Sequence, residues 1–127
     1  MLTLNDIGAD LAEEDLVNSM TDITGYGLIG HAREMLGETL GAEVSLQKLP
    51  LLSGVRDLVE AGSVPGGTRG NWDAFGDGVD LDVEGEFGQW ILADAQTSGG
   101  LLLAVSPSVT DSVEDRLNEA GLHAEPV

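Results

Sequence analysis

The sequence predicts a single α+β domain, a mixed β-sheet with helices packed against it, and three observations carry that prediction. Leu28, Ile29, Ala32, Met35, Leu36 and Leu40 recur at steps of three and four, the pattern of a helix with one buried face. Residues 43–49 alternate polar and apolar, as a half-buried strand does. Leu101-Leu102-Leu103-Ala104-Val105 is unbroken apolar, which suits a central strand buried on both faces. A chain of 127 residues is enough for one such domain and too short for two ordinary ones.

In chain order, residues 1–20 hold Leu11, Leu16, Val17 and Met20 among Glu13, Glu14 and Asp15, which predicts a short amphipathic helical segment with a solvated acidic side. The run Thr21-Asp22-Ile23-Thr24-Gly25-Tyr26-Gly27-Leu28-Ile29-Gly30-His31 follows. It places a carboxylate, two hydroxyls and three glycines at the mouth of the main helix, expected from about Gly25 to Leu40 and ended by Gly37 or Gly41. Thr21 or Thr24 can cap the first turn, and Gly25 and Gly27 let a ligand or another backbone come close. Helix N-termini also attract anions. Asp22 has two readings: a capping acid worth about 1 kcal/mol, or a hard oxygen ligand for a magnesium ion carrying phosphates. His31, beside the apolar stripe, has the pattern of a hydrogen-bonded boundary residue more than of a ligand.

Beyond the strand at 43–49, Leu51, Leu52, Val55, Leu58 and Val59 have helical spacing and read as core, with Gly62 at the C-terminal cap. Residues 62–80 contain six glycines and one proline and read as one long irregular loop, a kind of segment that tends to be functional or mobile. Within it, Gly66-Gly67-Thr68 offers backbone N–H groups and a hydroxyl while Arg69 adds a positive charge. Two readings stand: an anion site, or a turn with an incidental arginine. Trp72 and Phe75 pin the segment to the core. Residues 79–83 alternate as an edge strand, and 87–92 form a short apolar element of undecided type. Thr97, Ser98, Gly99 and Gly100 make a tight polar turn into the central strand, which is either a site or plain turn chemistry. Ser108 and Asp111 have capping-box spacing; Val109, Val113, Leu117 and Ala120 line one helix face; Gly121 ends it; and 122–127 begin a final strand.

Charge excludes some functions. The balance of 23 acidic residues against 5 Lys plus Arg gives a net of −18, so nucleic acid, itself a polyanion, is not an expected partner. Periodic apolar positions argue for folding and against disorder, and a solvated acidic surface suits a salt-rich cytoplasm of the halophile kind. No run reaches a membrane span and no secretion signal is present, so the expected location is cytoplasmic. The chain has no cysteine, which removes disulfides and thiolate chemistry.

Three runs together resemble a known family. The run from Thr21 to His31, the run Val64-Pro65-Gly66-Gly67-Thr68-Arg69-Gly70-Asn71, and the run Asp94-Ala95-Gln96-Thr97-Ser98-Gly99-Gly100-Leu101-Leu102 are similar, in the same order, to motifs in the C-terminal domain of selenophosphate synthetase. That enzyme is a member of the superfamily that includes aminoimidazole ribonucleotide (AIR) synthetase. The resemblance implies ferredoxin-like character and makes residues 21–127 the AIR synthase-related C-terminal domain, with 1–20 a poorly matching N-terminal helical segment. It implies a reaction of ATP and selenide giving selenophosphate, AMP and phosphate, in which magnesium neutralises charge. It also implies Asp22 as a metal ligand and nucleotide or phosphate contacts at Thr24, Gly25, Gly67, Thr68, Arg69, Asn71, Thr97 and Ser98.

The same resemblance implies that the catalytic cysteine or selenocysteine, its lysine and most metal carboxylates belong to an N-terminal ATP-binding domain absent here. No catalytic residue is therefore expected in this chain, whose one lysine, Lys48, lies far in sequence from the glycine-rich runs. Gly70 stands where the family commonly has a second basic residue, and Ala95 where it usually has proline. The expectation is the C-terminal domain of a phosphotransferase that needs its partner half. The alternatives are a non-catalytic nucleotide- or anion-binding module and a scaffold subunit, with a homo-oligomer also open.

Overall fold

The structure, a computed structural model, describes residues 4–82, 86–124 and 126–127. Asp6 accepts from the N–H of Ile7 and opens helix α1, Ile7–Glu13, which buries Ile7 and Leu11. The helix expected across 1–20 is confined to this stretch, because Asp15 takes a left-handed φ of 54° and breaks it. The chain then extends as β1, Ser19–Asp22, so Asp22 ends a strand and does not begin a helix. Strand β1 pairs antiparallel with β2, Leu101–Ala104, in the register Ser19 to Ala104 and Asp22 to Leu101. Asn18 donates to the Ala104 carbonyl at 2.8 Å and Ile23 to that of Gly100 at 2.9 Å, which lengthens the ladder at both ends.

Helix α2, Gly27–Leu36, is the predicted main helix, shorter than expected at both ends. Neither Thr21 nor Thr24 caps it; Tyr26 holds the cap position and makes no side-chain cap bond. At the other end Gly37, with φ of 66°, stops it before Leu40, which is 68% exposed. Residues 43–49 make no strand and contain only a 3-10 turn at Leu46–Lys48. Helix α3, Val55–Glu60, forms as predicted, yet it buries no residue: Leu52 before it is 82% exposed and Leu58 within it 56%. Its leucines are not core.

The largest difference falls in 62–80, where the expected loop contains helix α4, Gly66–Phe75. Glycine in a helix interior costs about 1 kcal/mol relative to alanine, so local propensity argues against this helix. Packing outweighs it: Thr68, Asn71, Trp72 and Phe75 share one face at 3.6-residue spacing, and all four turn inward. Arg33 on α2 donates to the carbonyls of Phe75 and Asp77 at 2.8 and 2.9 Å and closes the C-terminus of α4. Residues 79–82 make no strand, and Val83 lies outside the described residues. The apolar element at 87–92 is helix α5, Phe87–Ala93.

Helix α6, Thr110–Glu119, buries Val113 and Leu117, and Gly121 follows it with φ of 73°. The capping box of Ser108 and Asp111 is not made; Thr110 Oγ1 instead donates to the Ser106 carbonyl at 3.3 Å. No strand forms at 122–124 or 126–127.

Among the described residues the helices form two cores. Ile7 and Leu11 of α1 meet Val113 and Leu117 of α6, with Leu101, Leu103 and Val105 against them from the β2 side. Ile29 of α2 meets Leu92 and Ala93 of α5, with Trp72 and Phe75 of α4 closing the cluster. Each fully buried apolar side chain contributes roughly 1.5–3 kcal/mol. Among the described residues the sheet has two antiparallel strands, so the expected mixed sheet is not formed and β2 is half-buried along its whole length. An apolar cleft of about 660 Å³ lies beside β2 and reaches Leu28, Leu49, Leu101, Leu103 and Val113.

Candidate functional site

The three motif runs, separated by dozens of residues in sequence, meet at one place. Asn71 on α4 is 9% exposed and donates through Nδ2 to the Gly25 carbonyl at 2.8 Å and the Ala93 carbonyl at 3.0 Å. Thr68, 1% exposed one turn earlier, donates to Asp94 Oδ1 at 2.9 Å, and Gln96 Nε2 donates to the other oxygen of Asp94 at 2.7 Å. The Gln96 N–H and the Gly27 N–H both donate to the Thr24 carbonyl, at 3.0 Å each. Gly99 donates to the Ile23 carbonyl at 3.0 Å. A polar cluster this buried is stable only when its members are paired, and these bonds pair most of them.

Two glycines make the close approach possible. A Cβ at Gly27, whose φ is 68°, would stand 2.7 Å from the Ala93 carbonyl carbon and 2.9 Å from the Asp94 oxygen. A Cβ at Gly99 would stand 2.8 Å from the Ile23 carbonyl oxygen. Neither position admits a side chain without moving backbone.

The predicted site residues divide into an inner and an outer set. Thr68 and Asn71 spend their donors inside the domain, while Gly25, Gly67, Arg69, Thr97 and Ser98 are exposed around them. The Arg69 guanidinium lies over the Trp90 ring, 4.8 Å from its centroid, so the charge is held in place by the indole face. Thr24 is half-buried, and its Oγ1 is 3.1 Å from Nε2 of His31, which is itself buried. His31 is thus hydrogen-bonded, as its place beside the apolar stripe suggests. Nothing in the sequence alone gives Asp94 or Gln96 a role, although both lie inside the third motif run; their role shows only once Thr68 and Thr24 are beside them.

Asp22 is exposed at the end of β1, and among the described residues no three His, Cys, Asp or Glu side chains converge to hold a metal. A magnesium ion keeps several waters and needs only one or two protein carboxylates beside substrate phosphates. One free carboxylate fits such an ion as part of a site, with further ligands supplied from outside these residues. No helix of the described residues is long and apolar enough to cross a membrane.

The fold and the convergent motifs define a small α+β domain built around three glycine-rich junctions. The chain belongs to the family of AIR synthase related proteins, C-terminal domain, whose sequence model matches residues 1–127. Among its relatives is the selenide, water dikinase of Sulfurovum sp., 41% identical over 128 residues, covering 100% of this chain and 37% of the relative. The selenide, water dikinase of Haemophilus influenzae is 42% identical over 123 residues, 96% of this chain and 35% of the relative. That of Carboxydothermus hydrogenoformans is 42% identical over 127 residues, 98% of this chain and 36% of the relative. The chain therefore spans just over a third of the length of the curated relatives it matches.

Proposed function

We propose that this chain is the C-terminal domain of a cytoplasmic selenide, water dikinase, an ATP-dependent phosphotransferase that makes selenophosphate, AMP and phosphate from selenide and ATP. It acts with an N-terminal ATP-binding domain or subunit. The observation that carries the reading is the meeting of all three motif runs in one hydrogen-bonded cluster whose outer surface carries Asp22, Arg69, Thr97 and Ser98. In this reading Asp22 contributes one oxygen to the magnesium of a bound nucleotide. Gly25, Gly67, Arg69, Thr97 and Ser98 face the nucleotide or its phosphates, Thr24 faces the nucleotide with its hydrated magnesium ion, and Thr68 and Asn71 hold those loops at the right spacing. Magnesium, when bound, neutralises phosphate charge. The ferredoxin-like character implied by the resemblance for this domain requires more strands than the two formed among the described residues.

The test supplies an N-terminal half in trans and follows selenophosphate by phosphorus NMR. Turnover should appear with the wild-type chain and be lost with Asp22→Asn; turnover that ignores this change would sink the assignment. A non-catalytic nucleotide-binding module is the second reading. It predicts saturable binding of magnesium-ATP with no product under any pairing.

A further inference from the structure

Nδ1 of His31 is buried without a hydrogen-bond partner, on a ring whose other nitrogen holds Thr24. Facing it at 4.0 Å is Oε2 of Glu34, three residues along α2, whose side chain is 77% exposed and free to move. A neutral imidazole carries one proton, and the two choices differ here. With the proton on Nε2, the bare Nδ1 lone pair faces a carboxylate and two acceptors oppose each other. With the proton on Nδ1, the N–H points at that carboxylate, and a small rotation of an exposed side chain closes the gap.

We propose that Glu34 holds His31 in its Nδ1–H tautomer, making His31 the positioning residue that decides what Thr24 can offer a ligand. Nε2 then accepts the Thr24 hydroxyl proton, and Thr24 Oγ1 turns its lone pairs outward. Thr24 is thereby an acceptor, suited to a donor such as a water in the shell of a hydrated magnesium ion, and unsuited to a phosphate oxygen. The main chain of Thr24 is fixed by the Gly27 and Gln96 N–H groups, which both donate to its carbonyl. This deepens the nucleotide-site reading above and rests on it for the identity of the ligand.

The chain has two histidines, so long-range nitrogen-15 correlation spectra under alkaline conditions identify the His31 ring once His123→Gln removes the other. The wild-type ring should show Nδ1 protonated, and Glu34→Lys, a surface change that puts a cation there, should move the proton to Nε2. A wild-type proton on Nε2, or a ring indifferent to Glu34→Lys, overturns the proposal. Magnesium-ATP titration into the chain supplies the ligand readout. His31→Gln, whose amide oxygen can accept from Thr24, should bind within about threefold of wild type, whereas the shorter His31→Asn should lose about tenfold, the worth of one hydrogen bond. Equal losses in both, at matched thermal stability, also overturn it. The expected tautomer with no wild-type binding would instead refute the nucleotide reading and leave the relay standing.

Discussion

Removing the amide of Asn71 tests whether the three motif runs are held together as the structure shows. Asn71→Ala deletes two donated bonds, at 2.8 and 3.0 Å, from a side chain only 9% exposed, and strands the carbonyl of buried Ala93, while exposed Gly25 can turn to water. Each lost bond is worth about 1 kcal/mol net, and the stranded Ala93 acceptor adds to that. The expected loss is about 2–4 kcal/mol, a large share of the 5–15 kcal/mol that holds a domain of ordinary stability. Asn71→Asp is the sharper variant: it keeps the shape and turns a donor into a carboxylate facing two carbonyl oxygens, so it should cost more than alanine at neutral pH. Urea denaturation followed by tryptophan fluorescence reads both, since Trp72 adjoins the site and Trp90 lies in the helix it anchors. The midpoint should fall with the slope unchanged. An alanine variant within about 0.5 kcal/mol of wild type would refute the claim that this amide ties the runs together, because a surface substitution behaves that way.

Gly27→Ala adds a methyl 2.7 Å from the Ala93 carbonyl carbon at a backbone φ of 68°; thermal melts should show a loss of about 2–4 kcal/mol, while Gly70→Ala, which meets nothing within 4 Å, should stabilise α4 by up to about 1 kcal/mol. The Arg116 guanidinium bonded to Glu14 holds that carboxyl below its usual value of 4.5. A depressed folded value stabilises above the unfolded one and is lost as pH falls through the folded one, so Glu14→Gln should flatten part of the acid limb of the stability curve below about pH 4.5, and identical acid limbs would count against the pair. The net charge of −18 should make the domain more stable in molar KCl than in dilute buffer, where self-repulsion is least screened; equal midpoints would remove the salt-adaptation reading.

The sequence by itself determined the parts that local chemistry controls. The apolar repeat of α2 and the pattern of α6 were legible because one buried helix face imposes a 3.6-residue period on whatever sequence forms it. The ends at Gly62 and Gly121 were legible because each takes the left-handed backbone that glycine adopts at low cost. The motif runs and the family resemblance were legible for the same reason: short runs of glycine, hydroxyl and carboxylate are distinctive in composition.

Only the tertiary structure decided the rest. Residues 66–76 carry four glycines, so propensity points away from a helix; the helix over 66–75 exists because Thr68, Asn71, Trp72 and Phe75 find partners on α2, α5 and the Asp94 turn. Residues 43–49 have the alternation of a strand and find no strand beside them, and a strand without a neighbour leaves its backbone bonds unmade. The division of the site residues into those that hold and those that face outward was hidden in the same way. Thr68 and Thr97 are chemically alike, and what separates them is that one has Asp94 at 2.9 Å inside the domain and the other has solvent.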